Sequence, residues 1–433
     1  MTNLLRLCAR GPIVAAALVS ALALAGPAFA HGPDREAVAD TYGDIAEAMY
    51  ADALARAHEL DAAIDIFVAA PSADGLAVAR KAWLAAREPY QQTEVYRFGN
   101  AIVDNWEGKV NAWPLDEGLI DYVDRASYGD ASDENPLYTA NVVASDQLQY
   151  GADTIDTAAI TKELLSNSLH EVGQVESNVA TGYHAIEFLL WGQDLHGTDA
   201  GAGERPWTDY ATGSDCTNGS CERRAAYLAT ASDLLVDDLT WMASQWQDGG
   251  AARQALADAG PDGAVSSMLT GLGSLSYGEL AGERMQLGLL LHDPEEEHDC
   301  FSDNTHMSHY YDIVGMRSVY LGKYTRIDGT VVSGPSLSEL VAASDPDLDA
   351  SLRAELDSTV AAAQAMVDRA GSVEAYDQMI GEGNDEGNAT VQAVIDALTV
   401  QTRSIERAVA TLSLEPIAFE GSDSLDNPEA VFQ

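Results

Sequence analysis

The chain has 433 residues, of which 69 are acidic and only 23 are Lys or Arg, so its formal net charge at pH 7 is −46. A surface this acidic repels nucleic acids and anionic lipid headgroups, and it attracts cations without specificity. Beyond residue 30, no apolar run approaches the ~20 residues that a membrane-spanning helix requires. Composition therefore excludes nucleic acid as a partner and a membrane span in the mature chain, but it identifies no ligand.

The first 30 residues have the three parts of a secretory signal peptide. Arg6 and Arg10 precede an apolar run over residues 13–24, and Ala28-Phe29-Ala30 forms a small-x-small cleavage site. We therefore expect cleavage near Ala30 and a periplasmic or secreted protein.

Three cysteines remain in the mature chain. Cys216 and Cys221 close a short polar loop, and in an oxidising compartment we expect them to form a disulfide. Cys300 is then left over as a buried or a reactive thiol. A zinc site built from thiolates is disfavoured because no second cysteine pair exists.

The amino-terminal half of the mature chain has the periodicity of helices. Residues 34–70 are Ala-rich and predict one long helix, and the next run, residues 76–102, contains Pro89, which forces a kink or a break. Residues 106–123 predict an irregular connection and a short helix that holds Asp116, Glu117 and Asp121. Residues 162–177 predict a further helix.

Residues 192–218 are rich in Gly, Asp and Thr without periodicity, and they are the best candidate for a boundary between two domains. Helical patterns resume over residues 222–247, 348–370 and 389–412. A helix is expected to start near Ser302 or Asp303, either of which can cap it, and residues 324–335 predict a hairpin or loop.

About 400 mature residues exceed what one hydrophobic core usually holds. Since no alternating βα pattern is present, the economical interpretation is an all-α protein of two helical bundles, residues 31–200 and 201–433.

His184 and Glu187 lie in TGYHAIEFLLWGQD, residues 181–194, a run that is otherwise almost wholly apolar. On a helix, a spacing of three places both side chains on one face, and a helix that is apolar nearly all round is buried. A buried imidazole and carboxylate are costly without partners. They either form a hydrogen bond that orders the core, or they bind a metal, as His and carboxylate pairs do in helical iron and manganese proteins.

Three further groups are candidates for chemistry. Glu94 and Arg97 are three residues apart and predict either an ion pair on a solvated face or a partly buried functional pair. Glu117 offers a hard oxygen donor, although a carboxylate in a first turn is also favourable with the helix dipole. The third group is His298, Asp303, His306 and His309. We expect His298 and His309 in an exposed loop and helix start, and His306 is the better candidate because it lies inside the predicted helix.

The residue pattern around His184 and Glu187 argues against a standard zinc peptidase. The HExxH pattern is absent, and the inverted HxxEH pattern needs a His where this chain has Phe188. A zincin-type site would have to recruit a distant ligand, whereas metal binding needs no such motif.

The segment GYHAIEFLLWG resembles the GxHxxE signature of the imelysin-like family, secreted bacterial proteins also classed as peptidases and as iron-regulated periplasmic proteins. PYQQTEVYRFG, WPLDEGLIDY, GERM and EEHDCFSDNTH resemble further family blocks in the expected order, so the resemblance covers essentially the whole mature chain. It implies an all-helical fold of two bundle-like halves, with a pseudo-duplication as one origin, and a polar site near their contact. It also implies His184 and Glu187 as the signature pair, and we extend the predicted site to Glu94 and Glu117.

Two functions follow as hypotheses. The first is a periplasmic protein of iron uptake or homeostasis that binds a metal ion, iron first and zinc or copper as alternatives. A metal chelate or haem is an alternative cargo, and membrane-bound uptake components are expected partners. The second is a secreted metallopeptidase in which His184 ligates zinc and Glu187 is the general base. A purely structural pair in an interaction module is the third interpretation.

Overall fold

The architecture is almost entirely helical in the computed structural model, which describes residues 33–432. The α-helices, in chain order, are α1 (Arg35–Ala69), α2 (Ala73–Gln91), α3 (Ala101–Asn111), α4 (Glu117–Ile120), α5 (Gly182–Trp191), α6 (Cys221–Trp246), α7 (Ala251–Asp258), α8 (Gly260–Ser274), α9 (Leu287–Leu291), α10 (Thr305–Leu321), α11 (Leu337–Ser344), α12 (Pro346–Ala370), α13 (Tyr376–Ile380), α14 (Asp385–Thr411) and α15 (Asp423–Asp426). The predicted all-α class is confirmed. The predicted signal peptide lies outside the described residues.

Strands contribute only two antiparallel hairpins. Strand β1 (Gln147–Tyr150) pairs with β2 (Asp153–Asp156), and β3 (Lys323–Thr325) pairs with β4 (Val331–Ser333). The second hairpin was predicted over residues 324–335. The first was not, because its strands are only four residues long and largely exposed, with Leu148 as the one buried residue of β1 and β2.

Helix α1 is the centre of the packing in the first part of the chain. It contacts α2, α6 and α8, and its buried residues recur at helical spacing along its whole length. In the second part of the chain, α12 packs on α14, and α10 packs on both α12 and α2. Helices from both sides of residue 200 therefore contact each other, and the division into residues 31–200 and 201–433 stays a prediction.

The predicted run over residues 76–102 is broken shortly after Pro89, which itself lies inside α2. Helix α2 ends at Gln91, and a 3₁₀ turn over Glu94–Tyr96 and then α3 follow. The prediction for residues 162–177 is only partly right, because a π-helical turn ends at Leu169 and Glu171 has a left-handed φ of 53°. Helix α10 begins at Thr305, slightly later than predicted.

A long π-helical segment, Leu275–Gln286, connects α8 to α9. Wide turns of this kind are rare and are often found near functional sites. This one carries Glu279 and the buried Arg284. None of the helices described here is both long and apolar enough to cross a membrane.

Asp52 fixes the second hairpin to α1. Its buried carboxylate accepts hydrogen bonds from the Tyr324 hydroxyl at 2.9 Å, from the Arg326 guanidinium at 2.6 and 3.0 Å, and from the Ile327 backbone N–H at 3.1 Å. One side chain of α1 therefore accepts the hydrogen bonds of Tyr324 on β3 and of the turn that follows it.

We expect Asp52→Ala to lower the free energy of unfolding by about 3 kcal/mol, because several charge-assisted hydrogen bonds are lost and the buried Tyr324 hydroxyl loses its acceptor. Urea denaturation followed by circular dichroism measures the change. The matched control is Asp44→Ala, which removes an exposed ion pair to Arg253 and should cost less than about 1 kcal/mol. Equal losses in the two variants would contradict this role of Asp52.

Candidate metal centre

Helix α5 is buried at all ten of its residues, as its sequence predicts. Gly182, at its first position, has a φ of +82°, and a Cβ there would lie 2.4 Å from the carbonyl oxygen of Val110. Gly192 ends the helix with a φ of +75°. Glycine at these two positions lets a short helix lie against neighbouring backbone deep in the protein.

The signature pair forms a direct contact inside this helix. His184 Nδ1 lies 3.1 Å from Glu187 Oε2, and both side chains are at most 2% exposed. The other oxygen, Oε1, accepts hydrogen bonds from the Ser302 backbone N–H at 3.0 Å and from its hydroxyl at 2.6 Å. Burial, and then the charge of Asp299, raise the pKa of Glu187 well above its usual range. In the ionised form that a metal ligand or its supporting carboxylate takes, Glu187 can only accept, and the ring proton of His184 then lies on Nδ1 and the lone pair on Nε2.

His184 Nε2 is buried and has no hydrogen-bond partner. Burial, and then the charge of Arg87, lower the pKa of His184 to about 3. The ring is therefore neutral at physiological pH and keeps a free lone pair. A buried polar atom without a partner is costly, and a neutral imidazole with a carboxylate on its other nitrogen is how proteins orient a His that binds a metal.

Residues His298 and Asp299, which precede α10, complete the cluster. His184 Nδ1 lies 3.9 Å from Asp299 Oδ1, His298 Nδ1 lies 3.6 Å from the same oxygen, and the two imidazole rings are 4.7 Å apart at 77°. Within residues 33–432, these three side chains form the one set of three His, Cys, Asp or Glu residues whose ligand atoms all lie within 4.8 Å of one another. Nitrogen and oxygen donors of this kind suit a transition-metal ion.

The prediction that His298 lies in an exposed loop is wrong, since His298 is 1% exposed. The Trp113 indole donates to the carbonyl of Glu297 at 2.8 Å and packs edge to face on the His298 ring. The same prediction is wrong for His309, which is fully buried, whereas His306 is half-buried on α10. The polar segment that precedes α10 can be buried because side chains from distant helices, such as Arg87, form hydrogen bonds with it.

Arg87 on α2 supplies the positive charge at the centre. Its Nη2 lies 2.8 Å from Asp299 Oδ1 and 3.3 Å from His298 Nδ1, and its Nη1 donates to Asn111 Oδ1 at 2.7 Å. Burial by itself would raise the pKa of Asp299, but Arg87 holds it below its usual range. Three aromatic rings surround the guanidinium: Trp83, Tyr90 and Tyr183.

A cavity of about 450 Å³ opens beside the cluster and is lined by His184 and His298. Glu117 also lines it, so two of the four predicted ligands share this cavity. Burial, and then the charge of Glu295, raise the pKa of Glu117 to about 8. Cys300 lines the same wall as a free, partly buried thiol, and burial raises its pKa well above the usual range. The predicted disulfide between Cys216 and Cys221 is confirmed.

Glu94 lies in a neighbouring network around Arg284. Arg284 Nη2 donates to Glu94 Oε2 at 2.8 Å, and Arg284 also pairs with Asp312 and Glu279. The interpretation of Glu94 and Arg97 as an i, i+3 ion pair is therefore wrong, because Glu94 pairs with Arg284 instead. Arg97 forms its ion pairs with Asp104, Glu107 and Glu279.

Sequence analysis missed Asp299, Arg87 and Ser302 as members of the centre. Arg87 is a cation in a mainly apolar stretch, and Asp299 directly follows a His. These features single out Arg87 and Asp299 as unusual, but they do not indicate which distant helix or loop each side chain contacts.

Comparisons with known proteins agree with the predicted resemblance. The sequence profile of the family described as imelysin, peptidase M75, matches residues 46–405. "Iron-regulated protein A" of Synechococcus elongatus is 38% identical over 71 residues, 16% of this chain and 20% of that relative, so the match spans about a fifth of its length. The crystal structure of a provisionally named iron-regulated protein A precursor from Parabacteroides distasonis superposes with a TM-score of 0.61 at 16% identity, covering 88% of this chain and 96% of the other. This structural likeness shows the fold.

The buried neutral His184 should make stability depend on pH. Its folded pKa of about 3 lies below the unfolded value of ~6.5, so below pH 6.5 only the unfolded chain takes up this proton. This contribution is complete above pH 6.5 and is lost as the pH falls, by about 1.4 kcal/mol at pH 5.5. Urea unfolding at pH 7.5 and 5.5, with a chelator present, should show a smaller pH effect in His184→Asn than in the unsubstituted chain. The exposed His58 gives the control His58→Asn, and an unchanged pH effect in His184→Asn would refute the assignment.

Proposed function

This chain belongs to the imelysin family, and on that premise we propose that it is an exported protein that binds a metal ion, iron first, for iron uptake or homeostasis. The observation that carries the proposal is the partnerless Nε2 of the buried, neutral His184, next to His298 and Asp299. The names of the two relatives refer to iron regulation. Export is supported by the signal-peptide pattern of residues 1–30.

The proposed ligands combine the predicted residues with those that lie beside them. His184 is the central ligand, His298 and Asp299 flank it, and Glu117 lines the cavity beside it. Glu187, a predicted ligand, orients His184 through Nδ1 and would have to leave that nitrogen or Ser302 to bind the metal itself. Imidazole and carboxylate ligands bind ferrous or ferric iron, and they also bind zinc or copper. Glu94 stays a predicted ligand, and its carboxylate would have to leave Arg284 to take part.

The charge of the cavity favours a bare cation over an anionic chelate or a haem. Besides Glu117, the carboxylates of Asp116, Asp194 and Glu295 line it. Burial raises the pKa of Glu295 to about 7 and that of Glu117 to about 8, so these two groups are only partly ionised at pH 7. The ionised fraction of the four groups would repel the carboxylates of a ferric chelate or the propionates of a haem, and it would concentrate free cations at the entrance.

Metal binding fits the geometry better than peptide hydrolysis. A metallopeptidase needs a carboxylate that is free to deprotonate a metal-bound water. Both oxygens of Glu187 are already engaged, one with His184 and one with Ser302. Metal-dependent cleavage of a peptide that disappears in Glu187→Gln while the metal stays bound would favour the peptidase instead.

His184→Ala should weaken metal binding by at least about 100-fold because it removes the proposed central ligand. Calorimetry with Fe²⁺ under anaerobic conditions, and with Zn²⁺ and Cu²⁺, measures the affinity and the stoichiometry. His298→Ala should also weaken binding, and Glu187→Gln should do so by about 10- to 100-fold. His58→Ala, at an exposed position, is the matched control. Unchanged affinity in both His184→Ala and Glu187→Gln would rule out the proposed site.

Metal affinity should rise with pH through the titration of Glu117. With its pKa at about 8, only about a tenth of this carboxyl is ionised at pH 7, and a metal ligand must be deprotonated. We therefore expect about tenfold tighter binding at pH 8.5 than at pH 7, measured with Zn²⁺ at fixed ionic strength. His184 stays neutral between pH 7 and 8.5, so it does not contribute to the change of metal affinity with pH. Glu117→Gln should bind more weakly and with a smaller rise, because Glu295, whose pKa burial raises to about 7, lines the same cavity and still titrates. A variant that keeps the full rise would show that Glu117 takes no part.

A further inference from the structure

A second pocket, of about 320 Å³, lies beside the cavity of the proposed metal site, and Gln193 and Leu195 line both. Arg205 also lines this second pocket, although its side chain is only 1% exposed. Pockets of this size take small organic molecules. The chemistry of this pocket, called the Arg205 pocket below, depends on the hydrogen-bond donors that Arg205 presents to it.

Two of the three nitrogens of the Arg205 guanidinium have no hydrogen-bond acceptor. Nη1 donates to Asp121 Oδ2 at 2.6 Å and to Asp209 Oδ2 at 3.4 Å. Nε and Nη2 are buried and, among residues 33–432, have no partner. The rings of Tyr122 and Phe188 lie 5.0 and 5.2 Å from Cζ; they stabilise the positive charge but do not replace an in-plane acceptor. Buried donors without an acceptor are rare and costly.

The two partnerless nitrogens form the edge of the guanidinium that binds carboxylates elsewhere in this protein. Arg224 donates from Nε and Nη2 to the two carboxylate oxygens of Asp121, at 2.5 and 3.0 Å. Arg87 donates from the same two atoms to the two oxygens of Asp299, at 3.3 and 2.8 Å. Paired N–H groups on this edge match the two oxygens of a carboxylate. In Arg205 the same edge receives no acceptor from the described part of the chain.

Gly192 leaves room beside this edge. It lines the Arg205 pocket, and a Cβ at this position would lie 3.6 Å from Arg205 Nε and 3.3 Å from Arg205 Cβ. The half-buried His196 also lines the pocket, and its ring can donate a further hydrogen bond. The pocket therefore combines a paired donor on a buried side chain with space for a small group.

The charges around the pocket disfavour anions with more than one charge. The buried network that contains Arg205 has two arginines and two aspartates, so it carries no excess positive charge. Asp124 and Glu204 line the pocket from exposed positions, and they would repel a second negative charge on a ligand. A planar anion with a single charge is therefore favoured, because it gains the paired hydrogen bonds at the lowest cost in repulsion.

We propose that the Arg205 pocket binds the carboxylate of a small organic acid, with the two oxygens on Nε and Nη2 of Arg205. The carboxyl terminus of a peptide offers the same chemistry, but a pocket of about 320 Å³ suits a small molecule. Binding requires no metal at His184. The proposal therefore goes beyond the proposed function and does not depend on it.

The test uses the mature chain, freed of metal by a chelator that is then dialysed away. Saturation-transfer difference NMR measures the binding of acetate and propionate at fixed ionic strength. We expect saturable binding of both acids, weaker binding of the dianion succinate, and no binding of acetamide, the neutral match of acetate. A crystal structure with propionate should show the acid on Nε and Nη2 of Arg205.

Three variants give the expected changes in affinity. Arg205→Lys should weaken propionate binding by at least about tenfold, because Lys offers a point charge in place of the paired donors. Glu204→Gln should tighten it by about two- to threefold, because it removes a repelling surface charge. The exposed Glu415, which does not line the pocket, gives the matched control Glu415→Gln, with unchanged affinity. His184→Ala should also retain propionate binding.

Several outcomes would overturn the proposal: no saturable binding of either acid, equal binding of acetamide, or unchanged propionate affinity in Arg205→Lys. If Arg205→Lys does not fold, the affinity of Glu204→Gln and the position of propionate in the crystal decide. A tripeptide that binds more tightly than propionate, and loses binding when its carboxyl terminus is amidated, would overturn the small acid and assign the pocket to a peptide terminus. Loss of iron binding in His184→Ala with propionate binding retained separates this proposal from the function proposed above.

Discussion

The ion pair between Arg87 and Asp299 is the interaction on which the proposed metal site depends. Its two side chains are 1% and 0% exposed and lie 212 residues apart in the chain. Asp299 also accepts hydrogen bonds from the Asn304 amide and the Ser308 hydroxyl, so one carboxylate connects α2 to the start of α10. The pair costs solvation energy, and its geometry and further hydrogen bonds offset that cost. As a consequence, the segment that carries His298 is held against α5.

Charge balance explains why this strongly acidic chain keeps a few arginines deep in its interior. Arg87 neutralises Asp299, Arg284 lies among Glu94, Glu279 and Asp312, and a third buried network joins Arg205 and Arg224 to Asp121. Each arginine presents several donors in a fixed plane, which suits carboxylates from different helices. Among the buried carboxyl groups of residues 33–432, those of Glu117 and Glu187 form no ion pair with an arginine or a lysine. In our proposed function, a metal cation supplies positive charge beside them. The proposed metal site combines imidazole nitrogen with carboxylate oxygen and borders a cavity of about 450 Å³, which suits an ion that must enter and leave.

Local sequence patterns were enough to predict the long helices and the buried pair of His184 and Glu187. Helical periodicity fixed α1, α6, α12 and α14, and the apolar context of His184 and Glu187 predicted a buried pair, because periodicity and burial are properties of neighbouring residues. Tertiary structure decided the rest. Arg87, Asp299 and Ser302 join the pair, His298 becomes buried, and Glu94 turns to Arg284, because each of these contacts spans about 115 residues or more and depends on how helices pack. Spacing along the chain carries no information about such partners.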